Sequence, residues 1–247
     1  MVTRAADGSY FVSGAKAWCS GAVTAQHALV TAWRASDDLP QLIAVQVSHP
    51  GVVVRADHWK AIGMANSQSV KVIFNAAPCT LVGQPGAYLE RPGFWQGGAG
   101  VAACWLGGAV GIANNLHKAM LGTGGDSSSS SGTSGNSGFK LASLGKAFLA
   151  VSQTSQILRS AAAWIDAHPL ADASCVALQA RLSAEQCAKV VLDEAGKAMG
   201  ATPFCLDEKF ARAAADLPVF IRQSHAEKDF AALGERVCQT APGSWAL

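Results

Sequence analysis

The chain has 247 residues, half of them apolar and only 15% charged, against a usual charged share of about 25%, which excludes disorder over its whole length. Its 19 basic and 17 acidic side chains leave a net charge of +2, which offers no face to a phosphate backbone, so nucleic acid is not an expected partner. So few charges would cover the roughly 10,000 Å² of a monomer of this mass thinly, and a homo-oligomer is expected.

The first eight residues hold no apolar targeting stretch, so the expected location is cytoplasmic. The first third then reads as strands. Val2-Thr3-Arg4 and Tyr10-Phe11-Val12 flank Asp7-Gly8, a hairpin turn signal. Further β-rich runs cover residues 28–33, 42–47, 52–54 and 70–74, with Gly, Pro, Asn and Asp between them. Short strands at this spacing predict a small antiparallel β-barrel or sandwich over residues 1–86.

From residue 87 to 247 the pattern becomes Ala-rich helix, so the fold class is α+β, with an up-and-down helical bundle as second domain. Helices are predicted over about 93–121, 139–167, 172–200 and 207–215, with a last one starting at Asp216-Leu217-Pro218, where an acidic cap and an early proline fit a helix start. Gly200 fits a C-cap. The uncharged stretch from Gly97 to Ala113 is diluted by glycines and reads as a buried bundle helix, so no membrane partner is expected. Gly100, Gly107 and Gly111 there suit close helix contact. Residues 122–138, GTGGDSSSSSGTSGNSG, have nothing apolar to bury and read as a flexible linker.

Several chemistries lack their machinery. Gly98-Ala-Gly100-Val-Ala-Ala103 imitates a dinucleotide loop but follows no strand. G-x-S-x-G and H-E-x-x-H are absent. The seven cysteines (19, 79, 104, 175, 187, 205 and 238) are odd in number and never C-x-x-C, so no metal site and no disulfide framework is expected.

Two stretches stand out. In Gly14-Ala-Lys16-Ala-Trp18-Cys19-Ser20-Gly21, an aromatic and a hydroxyl of equal strand parity could share one face and address one flat ligand; a core tryptophan beside a turn serine is the other reading. In Asp216 to Asp229, the polar residues Arg222, Ser224, His225, Glu227 and Asp229 crowd an otherwise apolar bundle. They read either as a solvated helix face with an i,i+4 pair from His225 to Asp229 or as an active-site segment on a C-terminal helix. Imidazole exchanges a proton near neutral pH, which favours His225 over Glu227, and on one helix the two would point about 200° apart.

The run Asp7-Gly8-Ser9-Tyr10-Phe11-Val12-Ser13-Gly14-Ala15-Lys16-Ala17-Trp18-Cys19-Ser20 resembles the middle β-domain of the acyl-CoA dehydrogenases. Gly63-Met64-Ala65-Asn66-Ser67-Gln68-Ser69 through Phe74, and Leu81-Val82-Gly83 through Gly86, continue the likeness, which is good to about residue 120. The resemblance implies an FAD enzyme that dehydrogenates an acyl-CoA or other acyl thioester, with a role in fatty acid metabolism and an electron-transfer acceptor. It also implies that the Trp18-Cys19-Ser20 stretch passes the flavin, Ser20 bonding its N5, and that Gly200 stands near the turn that meets a neighbouring subunit's FAD. His225 is the expected catalytic acid or base.

The chain departs from the family pattern in several places. Ala65 stands where arginine is usual, the usual glutamate positions are not reproduced, and the N-terminal helical domain is not visible. A fragment or a degenerate member is expected, with a flavin monooxygenase of the same fold, or a non-catalytic interaction module, as alternatives.

Overall fold

A computed structural model of the chain describes residues 1–122 and 134–243, which separate into two compact units, Met1–Phe94 and Trp95–Leu247. In the first unit, β1 (Val2–Arg4) and β2 (Tyr10–Cys19) form an antiparallel hairpin. Asp7 builds the turn, its Oδ1 accepting from the Ser9 amide and hydroxyl at 3.0 and 2.6 Å, while Gly8 takes a φ of 88° that a residue with a Cβ would resist. The remaining strands are β3 (His27–Trp33), β4 (Pro40–Gln46), β5 (Val52–Arg55) and β6 (Val70–Val82).

The strand order is β1-β2-β6-β4-β3, all antiparallel, with β5 also paired to β6. A parallel bridge between Val2 and Arg34 joins the two ends of this order, so the sheet curls toward closure. Alternate residues such as Val30, Ile43, Val45, Val72 and Phe74 point inward and form the core, the period of two expected of strands with one wet face.

β2 and β6 run longer than the sequence suggests. Gly14 reads as punctuation, yet β2 continues through it with a φ of 129°, and register shifts between Val12 and Gly14 and between Lys16 and Cys19 absorb the irregularity.

The second unit contains most of α2 (Gly93–Gly122), which follows the short α1 (Ala87–Glu90) of the first. Then come α3 (Ser134–Ala167), α4 (Ser174–Met199), α5 (Thr202–Leu206), α6 (Glu208–Phe220), a 3-10 turn (Ile221–Gln223) and α7 (Glu227–Val237). Of the serine-glycine segment, residues 123–133 lie outside the described residues, and α3 already begins at Ser134.

The stretch Gly93–Leu121 is long and apolar enough to cross a membrane by length and composition. Its stripe of Trp105, Ile112 and Leu116 is wholly buried in the bundle core with Val191 and Phe210. A Cβ added at Gly100, Gly107 or Gly111 would meet no atom of another element within 4 Å. The close approach occurs instead at Gly108, where a Cβ would stand 3.0 Å from a methyl of Leu217.

The helix expected to start at Asp216 does not exist as such. Asp207 caps α6 by accepting from the amides of Lys209 and Phe210, and Pro218 lies in the last turn of that helix. Proline lacks an N–H and disrupts the ladder one turn back, and the chain leaves α6 through the 3-10 turn.

Candidate functional site

The two stretches singled out by sequence lie in different units. In the β-sheet unit, Lys16 pairs with Val72 and Cys19 with Val70, so Ala17 and Trp18 together oppose Lys71 in a β-bulge. Trp18 takes a φ of 62°, a region that non-glycine residues occupy at a cost. The strand ends at Cys19 and Ser20 lies in the following turn, so shared strand parity is not what relates Trp18 to Ser20. Nor is Trp18 a core residue. It is 77% exposed, and its ring meets that of Trp59 edge-on at 6.2 Å.

Beside it runs a row of hydroxyls. Ser20 Oγ lies 2.6 Å from Ser69 Oγ, and Ser69 Oγ lies 3.0 Å from Ser67 Oγ. Ser67 donates to the Met64 carbonyl at 2.8 Å. The Trp59 indole N–H donates to the Ala65 carbonyl at 3.0 Å, tying the same turn to the aromatic pair. Met64 and Gln68, which flank this turn, have φ of 57° and 39°. Burial pushes the half-buried Cys19 thiol up, with only partial opposition from the Lys16 charge, so it stays a neutral thiol rather than a nucleophile. Ser67 and Ser69 carry the resemblance in the sequence, but the contact of Ser69 with Ser20 crosses 49 residues and needs the fold to be seen.

In the helical unit His225 does not sit on a helix. It lies between the 3-10 turn and α7, and Ala226 next to it has φ 47° and ψ −111°. The helical separation of His225 from Glu227 therefore does not apply, because α7 starts only at Glu227. The expected contact of His225 with Asp229 is present in another form. Asp229 Oδ2 accepts the His225 backbone N–H at 3.2 Å, and Oδ1 lies 3.3 Å from ring Nδ1.

The Asp229 carboxylate is buried, whereas the His225 side chain is 72% exposed. Around the carboxylate, Arg181 Nε approaches to 3.8 Å and Ser224 Oγ to 3.5 Å. Ser224 Oγ also accepts the Ala226 N–H at 3.2 Å. Arg181 donates to the Gln223 carbonyl at 2.8 Å and lies over the Trp105 ring at 4.8 Å. When Nδ1 is the nitrogen that donates to Asp229 Oδ1, Nε2 is the ring nitrogen left for another partner.

The buried glutamates of α4 are bound to cations. Glu185 meets Lys189 at 2.6 Å and Arg222 at 3.1 Å. Burial pushes its carboxyl up, but hydrogen bonds from Lys189 and Ser224 and the charges of Lys189 and Arg222 outweigh that and hold it below the usual range. For Glu194 the largest influence is the Ser143 hydroxyl, which with Lys197 and Lys146 lowers it against the effect of burial. Carboxylates held ionised in this way are weak bases.

Gly200 caps α4 with a φ of 66°, its N–H reaching the Gly196 carbonyl at 3.0 Å. It lines a cavity of about 480 Å³ with Lys140, Lys146, Glu194 and Lys197. Glu185, by Arg222, lies 15 residues earlier on α4, about 22 Å along the axis. The His225 cluster and Gly200 are thus separate places in this unit.

Comparison with known proteins gives the fold its name. No protein-family model matches the chain. Over 81 residues, 32% of this chain and 20% of the relative, it is 36% identical to the amino sugar nitrososynthase DnmZ of Streptomyces peucetius.

Among solved structures it is similar to the TdsC complex with FMN and indole from Paenibacillus sp. A11-2, with a TM-score of 0.78 and 19% identity over 96% of this chain and 66% of that one. It is also similar to butyryl-CoA dehydrogenase from Megasphaera elsdenii, with a TM-score of 0.78 and 18% identity over 96% and 62%. The chain spans somewhat less than two thirds of the length of these solved chains.

It has the acyl-CoA dehydrogenase fold, as the β-domain followed by the C-terminal helical domain. The solved chains it is similar to also include a dibenzothiophene monooxygenase from Paenibacillus sp. A11-2 and XiaF from Streptomyces sp. in complex with FADH2.

Proposed function

We propose that this protein is a flavin-dependent monooxygenase, whose β-sheet unit offers Trp18 and Ser20 to a flavin ring and whose helical unit carries His225 as a proton-handling group. The observation that carries the reading is the His225–Asp229 pair, an exposed imidazole oriented by a buried carboxylate. Dehydrogenation needs a base to take a proton α to a thioester carbonyl. The buried glutamates of the helical unit are neutralised by Lys and Arg instead.

Support comes from the likeness to an amino sugar nitrososynthase in sequence and to a dibenzothiophene monooxygenase in structure. The donor set fits a flavin as well. An exposed indole offers flat apolar surface, and a hydroxyl row offers hydrogen bonds at its edge.

When bound, a reduced flavin supplies the two electrons with which dioxygen places one atom on a substrate and releases the other as water. The chain's own contribution is narrower. Trp18 packs, Ser20 orients by hydrogen bonding, and Cys19 fills the space behind them as a thiol. His225 gives up or takes a proton at Nε2, its ring fixed by the Nδ1 contact with Asp229. Gly200, on its lysine-lined cavity, is proposed to face a flavin held by a second copy of the chain. Exposed Leu141 and Phe148 on α3 support such self-association.

The second reading, acyl-CoA dehydrogenation with FAD and an electron-transfer acceptor, rests on the likeness to butyryl-CoA dehydrogenase. One experiment separates the two. The full chain is loaded with FAD or FMN. Reduced protein is then mixed with oxygenated buffer and indole, and oxidised protein is mixed anaerobically with butyryl-CoA.

Oxygenated indole without bleaching by butyryl-CoA is expected, and bleaching without oxygenation would give the site to the dehydrogenase. His225→Ala is expected to slow oxygenation about 10²-fold with flavin still bound. An unchanged rate there would remove His225 from the mechanism.

A further inference from the structure

Two cations of the helical unit meet on one buried oxygen. Glu185 Oε1 lies 2.6 Å from Lys189 Nζ and 3.1 Å from Arg222 Nη2, and the glutamate side chain is 1% exposed. The two nitrogens are therefore no farther apart than the sum of those distances. A single cation neutralises a carboxylate, and like charges this close repel, so the pair carries positive charge in excess. The neighbouring Arg181 and Asp229, 3.8 Å apart, balance each other and leave that excess standing.

The excess faces solvent. The Lys189 and Arg222 side chains are 52% and 53% exposed, and among the described residues each is bonded only to Glu185. A guanidinium and an ammonium carry more N–H donors than one oxygen can accept. The turn that presents Arg222 is already fixed, because Arg181 Nη2 donates to the Gln223 carbonyl at 2.8 Å and the Ser224 amide donates to the Ile221 carbonyl at 3.0 Å. Little ordering is left to oppose binding.

We propose that Lys189 and Arg222 form an anion clamp that holds a carboxylate or phosphate group of the substrate. The clamp adjoins His225. Ser224 lies between them, its hydroxyl bonding Glu185 and reaching Asp229 Oδ2 at 3.5 Å. On α4, Lys189 follows Arg181, which marks the Asp229 end of the cluster, by eight residues, about 12 Å along the axis. A substrate held there carries its anionic group several bonds from the atom presented to His225. Anion binding stands by itself, and the role as substrate anchor rests on the reading of His225 as the proton-handling group.

The test is equilibrium binding of indole and of indole-3-propionate, the same ring with a carboxylate on a short chain, to the full chain with and without FMN. The acid is expected to bind about tenfold more tightly than indole, the scale of a hydrogen bond to a charged group. That preference should shrink as salt is added. Arg222→Gln and Lys189→Gln should each remove most of it, whereas Lys118→Gln, an equal loss of charge at an exposed position of α2, should keep it. Because the readout is a ratio of two affinities, general damage to the fold does not imitate the result.

Equal affinity for the two probes, or binding of neither, would overturn the proposal. A preference that survives both Arg222→Gln and Lys189→Gln, or that falls as far in Lys118→Gln, would also overturn it. A preference that vanishes once FMN is added would give the clamp to the flavin phosphate and end its role as a substrate anchor. Failure of the chain to take up FMN would remove the flavin reading, while the ratio measured without FMN still decides the clamp.

Discussion

Trp18 in the β-sheet unit and Ala226 in the helical unit both hold a residue with a Cβ at positive φ, 62° and 47°, beside a proposed functional side chain. The two are held by different means. The ladder pairs Lys16 with Val72 and Cys19 with Val70 on either side of Trp18, and the side chains bonded around it are neutral, an indole and three hydroxyls, while Lys16 and Lys71 hold it through their backbone. Ala226 is held by its N–H on Ser224, by the bonds of His225 to Asp229, and by Arg181 on the Gln223 carbonyl. Strain of this kind costs about 1–3 kcal/mol and persists only where the surroundings dictate it. A neutral clamp is indifferent to pH and salt. The ionic clamp lasts only as long as its charges do, so the helical unit should be the one that yields when a charge is lost.

The largest expected effect follows from Arg181. Its side chain and that of Asp229 are each 11% exposed, so Arg181→Met leaves a buried carboxylate without its nearest cation and the Gln223 carbonyl without that donor. Breaking one partner of a buried pair costs about 3 kcal/mol. The urea midpoint of the helical circular-dichroism signal should fall accordingly. Ser69→Ala, the corresponding cut in the neutral row, should cost about 1 kcal/mol or less. Equal losses from the two substitutions would break the contrast between ionic and neutral clamps.

Acid sharpens the contrast next. Glu185 and Glu194 both have their carboxyls lowered in the folded chain. A group whose folded pKa is depressed contributes stability that is complete above its unfolded value, about 4.3 for glutamate. That contribution is lost as pH falls through the lower folded value. Protonation of Glu185 weakens its pairs with Lys189 and Arg222, and Arg222 belongs to the 3-10 turn leading to His225. Helical signal should therefore be lost below the ordinary glutamate range. Trp18 and Trp59, held without charges, should keep their near-ultraviolet signature to lower pH. Simultaneous loss of both signals would mean that the ionic clusters do not set the acid limit.

These clusters also explain what could be read from sequence. The two-residue alternation of Ile43 and Val45 and the apolar stripe of α2 are local, and they gave the α+β order of elements directly. Asp207 as a cap was less visible than Asp216-Leu217-Pro218, because a proline in a last turn resembles one in a first turn until the neighbouring helix is known. Trp18, Ser20 and His225 stood out as residues, but their relations did not. The Ser20–Ser69 contact spans 49 positions and Arg222–Glu185 spans 37. Backbone reversals at Trp18 and Ala226 break the strand and helix periods from which facing residues are inferred.

The smallest effect is Trp18→Gly, and its sign carries the argument. An indole that is 77% exposed loses little burial on removal, and its contact with Trp59 is a single edge. The positive φ of Trp18 costs about 1–2 kcal/mol that glycine does not incur, while the extra freedom of glycine in the unfolded chain offsets about 0.5–1 kcal/mol. The variant should be more stable than the natural chain by about 0.5 kcal/mol. Flavin affinity should move the other way, because the flat apolar surface offered to the ring is gone. A residue whose removal stabilises the fold and weakens a ligand is placed there for the ligand. Should calorimetry show the β-sheet unit destabilised by Trp18→Gly, with flavin affinity unchanged, the bulge would be serving the packing of Trp59 instead.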